Sequence, residues 1–240
     1  MRDNQYTTEG RIRFSEVDHT RRITLPGIVN YFQDCSTFQS EDIGLGMDVL
    51  KERGRVWVLN SWQIEVKRYA KMGEYVSVTT WANGFSGLYG TRNFLMEDRN
   101  GEVLAVANSI WVFMDLVKGR PAKPGKEDIE NYGIDDPYPM EYAPRKISLP
   151  VEVKDKPAFY VKREQIDPNH HMNNEQYIAE ALECLPEGMK VRKLRAEYKK
   201  SAMYKDKIIP KVAEEDTRFV VELCAEDGKP YAVIETIGEK

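Results

Sequence analysis

A proline-rich stretch in the middle of the chain limits what this sequence can fold into more than any other feature. Seven of the twelve prolines lie between residues 118 and 157, with acidic residues among them. Proline fixes φ and lacks a backbone N–H, so this stretch cannot form a long helix or a central strand. The stretch therefore predicts a linker, residues 121–157, between an N-terminal unit, residues 1–120, and a C-terminal unit, residues 158–240.

The first half of the chain has the pattern of a strand, a helix and four further strands. Alternating apolar residues predict strands at 11–15, 56–69, 75–82, 89–97 and 103–115. Apolar residues at helical spacing from Ile28 to Gln39 predict a helix that ends near Gly44. The Asn100-Gly101 pair between two β-rich runs predicts a hairpin turn.

The second half repeats this order. Its patterns predict strands at 158–161, 191–200, 207–213, 217–225 and 229–236, and a helix at 174–184. When the halves are overlaid, Asp18 falls on Asp167 and Gly73 falls on Lys205. One helix and an antiparallel sheet per half predict an α+β protein of two duplicated helix-on-sheet units.

Composition argues against several classes of protein. A net charge of −4 is not that of a general nucleic-acid binder. No apolar run approaches the roughly 18 residues of a membrane span, and the first residues lack the apolar core of a signal peptide. Three cysteines without a C-x-x-C spacing argue against a disulfide framework or a zinc site, so we expect a reducing, cytoplasmic location.

Residues 167–177 bring together a base, several amides and a helix start. They hold two of the three histidines, His170 and His171, among three asparagines and an aspartate. The first N–H groups of a helix are unpaired and carry partial positive charge, which can polarise a carbonyl. An imidazole can take a proton from water, Asn169 can hold the water or the ring, and Asp167 can orient a donor or share the base role. These parts suit hydrolysis of an activated acyl group. The alternative is a solvated turn that ends in an asparagine helix cap.

Only the second copy of the repeat carries these groups, because Thr20 and Arg22 occupy the matching positions in the first copy. This difference predicts chemistry in the C-terminal unit and substrate binding in the N-terminal unit. Two of the cysteines, Cys35 and Cys184, fall on apolar helix stripes and are interpreted as core residues. The adjacent His170 and His171 lack the spacing of metal ligands, so no metal site is expected.

The run from Asp167 to Ile178 resembles the D-x-N-x-H-V-N-N-x-x-Y-I signature of acyl-ACP thioesterases, the plant FatA/FatB type and their bacterial relatives. Other stretches are similar to landmarks of that family: V-W-V-L at 56–59, V-K-R-Y at 66–69, G-E-Y-V-S-V-T-T-W at 73–81 and S-I-W-V at 109–112. The resemblance covers nearly the whole chain. It implies a tandem (double) hotdog fold, in which each unit is a long helix wrapped by an antiparallel sheet.

The resemblance also implies an activity, the hydrolysis of fatty acyl-ACP to free fatty acid and holo-ACP in fatty acid biosynthesis. The substrate brings its own phosphopantetheine arm, so no further cofactor is implied. Asp167, Asn169 and His171 match the catalytic positions of the family. Alternatives on the same fold are an acyl-CoA thioesterase, a non-hydrolytic acyl-binding protein and, as a weaker option, a hydratase. The expected assembly is a monomer or a homodimer.

The sequence departs from the plant pattern after the helix. Ser201 and Ala202 stand where plant members have a glutamate and a cysteine, which excludes a cysteine nucleophile there. Strand alternation would place Glu197 on the same face as Ser201, so Glu197 is a candidate acidic partner, or else an ordinary exposed strand residue.

Acyl carrier protein is acidic, so a basic docking patch is expected on its thioesterase. The candidate docking residues lie just after the predicted helix: Arg192, Lys193, Arg195, Lys199 and Lys200. The alternative is a strand edge that lysines protect from aggregation.

Overall fold

The computed structural model describes residues 4–150 and 152–239, and the chain divides inside the proline-rich stretch, between Tyr142 and Ala143. Unit 1 comprises Met1–Asn60 and Val66–Tyr142, and unit 2 comprises Ser61–Glu65 and Ala143–Lys240. The stretch predicted as a linker is therefore divided between the two units.

Residues before the division pack on unit 1. Tyr132 is buried against Leu45 and Ala82, and the indole N–H of Trp81 donates to the carbonyl of Asp136 at 2.9 Å. Where the structure describes it, the proline-rich stretch forms only elements of two or three residues. Its side chains nevertheless pack, which the sequence pattern does not show.

Unit 1 contains two helices and an antiparallel sheet. The helices are α1 (Leu25–Asp42) and α2 (Met47–Glu52), and the strands are β1 (Tyr6–Arg11), β2 (Arg55–Val66), β3 (Tyr75–Ser86), β4 (Tyr89–Asp98), β5 (Val103–Asp115) and β6 (Arg120–Pro121). Strands β1, β3, β4 and β5 are neighbours in that order, and β6 pairs with β5. Residues 61–65 of β2 belong to unit 2.

Helix α1 begins at a cap and lies on the sheet through an apolar stripe. The hydroxyl of Thr24 accepts the N–H of Gly27, and Pro26 occupies the first turn, where its missing N–H costs nothing. The thiol of Cys35 reaches the carbonyl of Val78 on β3 at 3.3 Å. The Phe32 ring lies 5.2 Å, centroid to centroid, from that of Phe94 on strand β4. These contacts confirm the predicted helix and its buried face.

Unit 2 repeats the plan with one shorter helix. Its elements are β7 (Lys154–Asp155), β8 (Phe159–Tyr160), α3 (Asn174–Leu182), β9 (Lys190–Tyr198), β10 (Lys207–Glu215), β11 (Arg218–Cys224) and β12 (Pro230–Glu239). Residues 61–65 of β2 pair with β9, which is followed in order by β12, β11, β10 and β7, all antiparallel, while β8 pairs with β10. The predicted long helix is only 9 residues here, against 18 in unit 1.

The two faces of the unit 2 sheet are covered by different parts of the chain. On one face, the ring of Tyr177 in α3 meets Tyr198 of β9 edge-on, with centroids 5.8 Å apart. On the other face lie residues 143–150, named here the strap. Ile147 of the strap is buried with Ala213, Val220 and Val233.

One predicted strand is wrong. The sequence pattern placed it at 11–15, but β1 ends at Arg11 and residues Phe14–Glu16 form a 3-10 turn. Ile12 is buried, whereas Phe14 is 84% exposed. The apparent alternation therefore combined one core residue with one solvent-facing aromatic residue.

The duplication extends to individual hydrogen bonds. The N–H of Ile12 donates to Glu74 at 2.9 Å, and the N–H of Val161 donates to Asp206 at 3.0 Å. The N–H groups of Ile23 and Met172, each just before a principal helix, donate to Ala70 at 2.9 Å and to Ala202 at 2.8 Å. Two units with the same helix-on-sheet plan and the same backbone contacts confirm the predicted tandem hotdog fold.

Candidate active site

The Asp167 carboxylate organises the turn that carries the histidines. Its Oδ1 accepts the backbone N–H of Asn169 at 2.8 Å and of His171 at 3.2 Å. The N–H of Asp167 donates to the carbonyl of His171 at 2.8 Å. Such closures are typical of aspartate turns. Asp167 thus acts on the backbone that presents Asn169 and His171.

His170 is the residue that reverses the turn. Its φ of +64° lies in the left-handed region, which non-glycine residues adopt at an energetic cost. Its side chain is exposed, whereas that of His171 is half-buried. Of the two adjacent histidines, His171 is therefore the one whose side chain is partly enclosed by the protein.

Helix α3 starts immediately after the turn. The side chain of Asn173 caps it by accepting the N–H of Glu175 at 3.1 Å, and the N–H of Asn173 donates to Gln165 at 2.8 Å. The Tyr198 hydroxyl donates to the carbonyl of Asn174 at 2.9 Å. The helix start is fixed from both sides, so its positive end lies two residues from His171.

The side chains of His171 and Asn169 make no hydrogen bond to another side chain or backbone group within residues 4–150 and 152–239. Their polar atoms are thus available to a water or a substrate. A half-buried imidazole, an exposed amide and a helix N-terminus within five residues can accept a proton, orient water and stabilise a developing oxyanion.

Unit 1 has the same turn without the same chemistry. Asp18 accepts the N–H groups of Thr20 at 2.8 Å and Arg22 at 3.2 Å. Burial opposes ionisation of Asp18, but the hydrogen bonds from Thr20 and Arg22 outweigh it and lower the pKa of the carboxyl. The guanidinium of Arg22, in the place of His171, donates to the carbonyl of Tyr69 at 3.0 Å. The first copy keeps the scaffold but has no imidazole at the position of His171; its histidine, His19, directly follows Asp18.

The structure does not bring Glu197 to the turn. Tyr198 of β9 faces α3, so Glu197 faces the opposite side of the sheet, where its carboxylate accepts the N–H of Ile147 at 3.3 Å and pairs with Lys199. Glu197 is buried, which also excludes the alternative of an ordinary exposed residue. Its contacts are those of a residue that holds the strap.

Glu197 and Ser201 were predicted to share a face of the sheet because strand residues alternate. A bulge between them interrupts this alternation. The N–H groups of Lys199 and Lys200 both donate to the carbonyl of Tyr231, at 2.8 and 3.2 Å. Two consecutive residues therefore oppose one partner, and alternation along β9 does not continue into the loop.

A second buried acid, which is not among the residues predicted from the sequence, lies beside the turn. Glu175, in the first turn of α3, is 7% exposed. Burial raises the pKa of its carboxyl, while the amide of Gln176, which donates to it at 2.7 Å, partly opposes the rise. Its place on the apolar side of the helix pattern was the signal available in the sequence.

Four of the five candidate docking residues have carboxylate partners. Arg192 pairs with Glu239 at 3.3 Å and Lys193 with Glu65 at 3.7 Å. The other two pairs are Arg195 with Glu235, at 2.8 Å, and Lys199 with Glu197. Lys200 is the exception among the residues that the structure describes: its ammonium lies 5.2 Å from the centroid of the Tyr231 ring.

The three thiols are poor candidates for nucleophiles. Burial raises the pKa of Cys35, Cys184 and Cys224, which disfavours the reactive thiolate. In the described part of the chain, no three His, Cys, Asp or Glu side chains are grouped so as to hold a metal ion. No helix within the described ranges has the length and apolar character needed to span a membrane.

Comparison with known proteins identifies the family of both halves. The acyl-ACP thioesterase N-terminal domain matches residues 3–132, and the acyl-ACP thioesterase C-terminal domain matches residues 149–239. A palmitoyl-acyl carrier protein thioesterase of Arabidopsis thaliana chloroplasts is 29% identical over an alignment of 210 residues, which covers 79% of this chain and 50% of that protein. The chain thus spans about half the length of the curated relatives it matches.

Two solved structures extend the similarity over the whole chain. An acyl-ACP thioesterase from Bacteroides thetaiotaomicron is 26% identical with a TM-score of 0.88, covering 99% of this chain and 98% of that one. A 12:0-ACP thioesterase from Umbellularia californica shares the fold, with a TM-score of 0.84 at 19% identity, covering 100% of this chain and 98% of that one. With both family domains matched in order and the D-x-N-x-H turn in the second, this chain belongs to the acyl-ACP thioesterase family.

Proposed function

We propose that this protein hydrolyses the thioester of fatty acyl-[acyl carrier protein] to free fatty acid and holo carrier protein. The observation that carries the proposal is the Asp167 turn, which presents Asn169 and His171 at the capped start of α3. The names of the relatives describe the same reaction. The reaction belongs to fatty acid biosynthesis.

The proposed mechanism uses His171 as the general base. Asn169 holds a water molecule, and the imidazole of His171 takes a proton from it as its oxygen attacks the thioester carbonyl. The N–H groups at the start of α3 stabilise the oxyanion of the tetrahedral intermediate. The carbon–sulfur bond then breaks, and the imidazolium returns its proton to the departing thiolate.

Asp167 has a positioning role in this scheme. Its Oδ1 is engaged by two backbone N–H groups of the turn, which supports a function in loop geometry over one as a base. The substrate supplies the phosphopantetheine arm, so the proposal requires neither a cofactor nor a metal ion of the protein's own.

Unit 1 is proposed to bind the acyl chain. Its turn has Arg22 instead of an imidazole at the position of His171. Its interior is rich in aromatic side chains: the ring centroids of Trp57 and Phe113 are 4.7 Å apart, and those of Phe32 and Phe94 are 5.2 Å apart. A cytoplasmic location and a monomeric or homodimeric state stay predictions.

An acyl-CoA thioesterase is the second candidate. The ion pairs of Arg192, Lys193, Arg195 and Lys199 favour it, because they neutralise most of the basic residues expected to attract an acidic carrier protein. Comparing kcat/KM for one acyl chain on carrier protein and on CoA distinguishes the two activities.

The decisive experiment measures thiol release from acyl carrier proteins by wild type and His171→Ala. We expect kcat to fall by about 10²–10⁴-fold, the usual contribution of a general base. Arg22→Ala, at the matching position of unit 1, controls for disturbance of a turn. Undiminished turnover by His171→Ala would exclude the mechanism, and binding of acyl thioesters without turnover by wild type would favour the non-hydrolytic alternative.

A further inference from the structure

Three cations near the His171 turn have no carboxylate partner among the residues that the structure describes. Arg163, Lys200 and Lys205 are exposed, and none is in an ion pair within the described ranges 4–150 and 152–239. Each lies against an aromatic ring instead. Arg163 and Lys205 are each 5.3 Å from the centroid of Tyr204, and Lys200 is 5.2 Å from that of Tyr231. Arg163, Lys200, Lys205 and Tyr204 are named here the cationic patch.

The patch is attached directly to the catalytic turn. The loop that carries Lys200 and Lys205 includes Ala202, whose carbonyl accepts the N–H of Met172, the residue after His171, at 2.8 Å. The N–H of Lys205 donates to Val161 at 3.0 Å, which joins the loop to the segment before Arg163. A partner bound at the patch would therefore lie beside the proposed site.

The corresponding surface of unit 1 is neutralised. Arg68 matches Lys200, because the N–H groups of Lys67 and Arg68 donate to one carbonyl, that of Leu104, at 2.8 and 3.1 Å. The same arrangement holds at Lys199 and Lys200. The guanidinium of Arg68 pairs with three acids: Glu74 at 2.7 Å, Glu102 at 3.0 Å and Asp98 at 3.3 Å.

Unit 2 has lost two of these three acids. The hairpin bond from Asp98 N–H to Glu102, 3.0 Å, corresponds to the bond from Ala225 N–H to Lys229, 2.9 Å. Alanine and lysine thus replace Asp98 and Glu102. The third acid is kept as Asp206, whose Oδ2 accepts the hydroxyl of Tyr231 at 3.0 Å and a backbone N–H of the loop. These two substitutions remove the carboxylates that would otherwise pair with Lys200.

Lys205 occupies a backbone position that favours glycine. Its φ is +72°, and the matching residue of unit 1 is Gly73 with a φ of +81°. A side chain in this left-handed conformation strains the backbone, and such strain is found where function requires it. Folding alone would favour glycine, so a role of the lysine side chain explains the residue better.

The composition of the patch suits a protein partner. Tyr204, Met203 and Tyr160 are 41%, 45% and 60% exposed beside the cations. Arginine, tyrosine and methionine are enriched at protein interfaces, and unpaired cations attract a partner of opposite charge.

We propose that the cationic patch is the docking surface for the acidic carrier protein that delivers the thioester to His171. This inference rests on the proposed function. It moves the docking surface from the ion-paired side chains of Arg192, Lys193, Arg195 and Lys199 to the cationic patch.

The test compares two triple variants that each remove three positive charges. Arg163→Gln, Lys200→Gln and Lys205→Gln change the patch. Arg192→Gln and Lys193→Gln on β9, with Lys199→Gln directly after it, are the matched control. For each protein, Kd is measured for holo carrier protein, and kcat/KM is measured for acyl carrier protein, acyl-CoA and acyl-pantetheine. We expect the patch variant to raise both Kd and KM for the carrier by about tenfold at low salt. Turnover of acyl-pantetheine should change by less than about twofold, as should every constant of the control.

A charge-conserving variant, Arg163→Lys with Lys200→Arg and Lys205→Arg, should restore carrier binding, and thermal melts establish that all variants fold. Wild-type affinity in the patch variant, or an equal or larger loss in the control, would overturn the proposal. A patch variant that weakens acyl-CoA alone would assign the patch to the nucleotide phosphates and also overturn it. If wild type hydrolyses no thioester but the Kd pattern holds, the proposed function fails and the docking surface stands.

Discussion

The hydroxyl of Tyr177 accepts the backbone N–H of Ala202 at 2.8 Å. Tyr177 lies in α3, one turn after the capped start, and both groups are buried. Since the carbonyl of Ala202 also accepts the N–H of Met172, one residue of the loop after β9 is fixed to the helix and to the turn. The side chain of Tyr177 thereby joins the proposed base to the loop that carries the cationic patch.

Replacing Tyr177 by phenylalanine should destabilise the protein. The substitution leaves the buried N–H of Ala202 without its acceptor, at a cost of about 1–3 kcal/mol. Urea unfolding of wild type and Tyr177→Phe measures the loss. The control is Tyr160→Phe, which removes a hydroxyl from a side chain that is 60% exposed and should change stability little. Equal stability of the two variants would contradict the assigned hydrogen bond.

Asp18 and Asp167 occupy matching turns, so replacing each one distinguishes an effect on stability from an effect on kcat. Asp167→Ala and Asp18→Ala each remove a carboxylate that accepts two backbone N–H groups, so each should cost about 1.5–3 kcal/mol in urea unfolding. Only Asp167→Ala should lower kcat, by about 10²-fold, because misplacing Asn169 and His171 disturbs the attack geometry. An equal loss of kcat in Asp18→Ala would remove the assignment of chemistry to the second copy.

The sequence was sufficient for features that depend on local pattern. The Asn173 cap, the start of α3 and the repeat of the Asp18 turn at Asp167 all follow from residues close together in the chain. The orientation of Glu197 could not be predicted, because a bulge at Lys199 and Lys200 interrupts the alternation on which it relied.

Ion pairs between residues far apart in the chain could not be predicted from the sequence either. The partners of Lys193 and Arg195 are Glu65 and Glu235, which are far away in the chain and become neighbours only when β2, β9 and β12 pair. The strap was hidden for the same reason: a proline-rich segment shows no periodicity, and the place where Ile147 packs is set by the completed sheet.

Arg195 is expected to stabilise the fold and to take no part in carrier binding. Its guanidinium pairs with Glu235 at 2.8 Å and also donates to the carbonyls of Pro144 and Lys146 in the strap. Arg195→Met breaks a largely buried pair, for which a loss of about 3 kcal/mol is expected in urea unfolding. Arg218 still contacts Glu235 at 3.0 Å, which limits the loss.

Lys193→Met is the matched control for Arg195→Met. Lys193 is half exposed and 3.7 Å from Glu65, so its pair should contribute no more than about 1 kcal/mol. Amide hydrogen exchange should show faster exchange in the strap for the Arg195 variant alone. A loss of carrier binding by Arg195→Met at temperatures where it stays folded would instead return β9 to the docking surface.

Glu175 should make stability depend on pH in the acidic range. Burial raises the folded-state pKa of this carboxyl above its ordinary value of 4.5, so the folded protein holds the proton more tightly than the unfolded chain. Stability is therefore greatest at low pH for this group, falls as pH rises above 4.5, and levels off above the raised pKa. Glu175→Gln removes the ionisable group and with it this decline.

Thermal unfolding of wild type and Glu175→Gln between pH 4 and 8 measures the effect. The variant should equal wild type at the acidic end and be more stable near neutrality, because its amide carries no charge that burial disfavours. Glu187→Gln, at an exposed position, controls for the loss of one carboxylate. If Glu175→Gln is instead less stable than wild type at neutral pH, the charged carboxylate is stabilised by its surroundings, and the raised pKa is wrong. If kcat falls as well while stability rises, Glu175 is the acid beside His171 that Glu197 was expected to be.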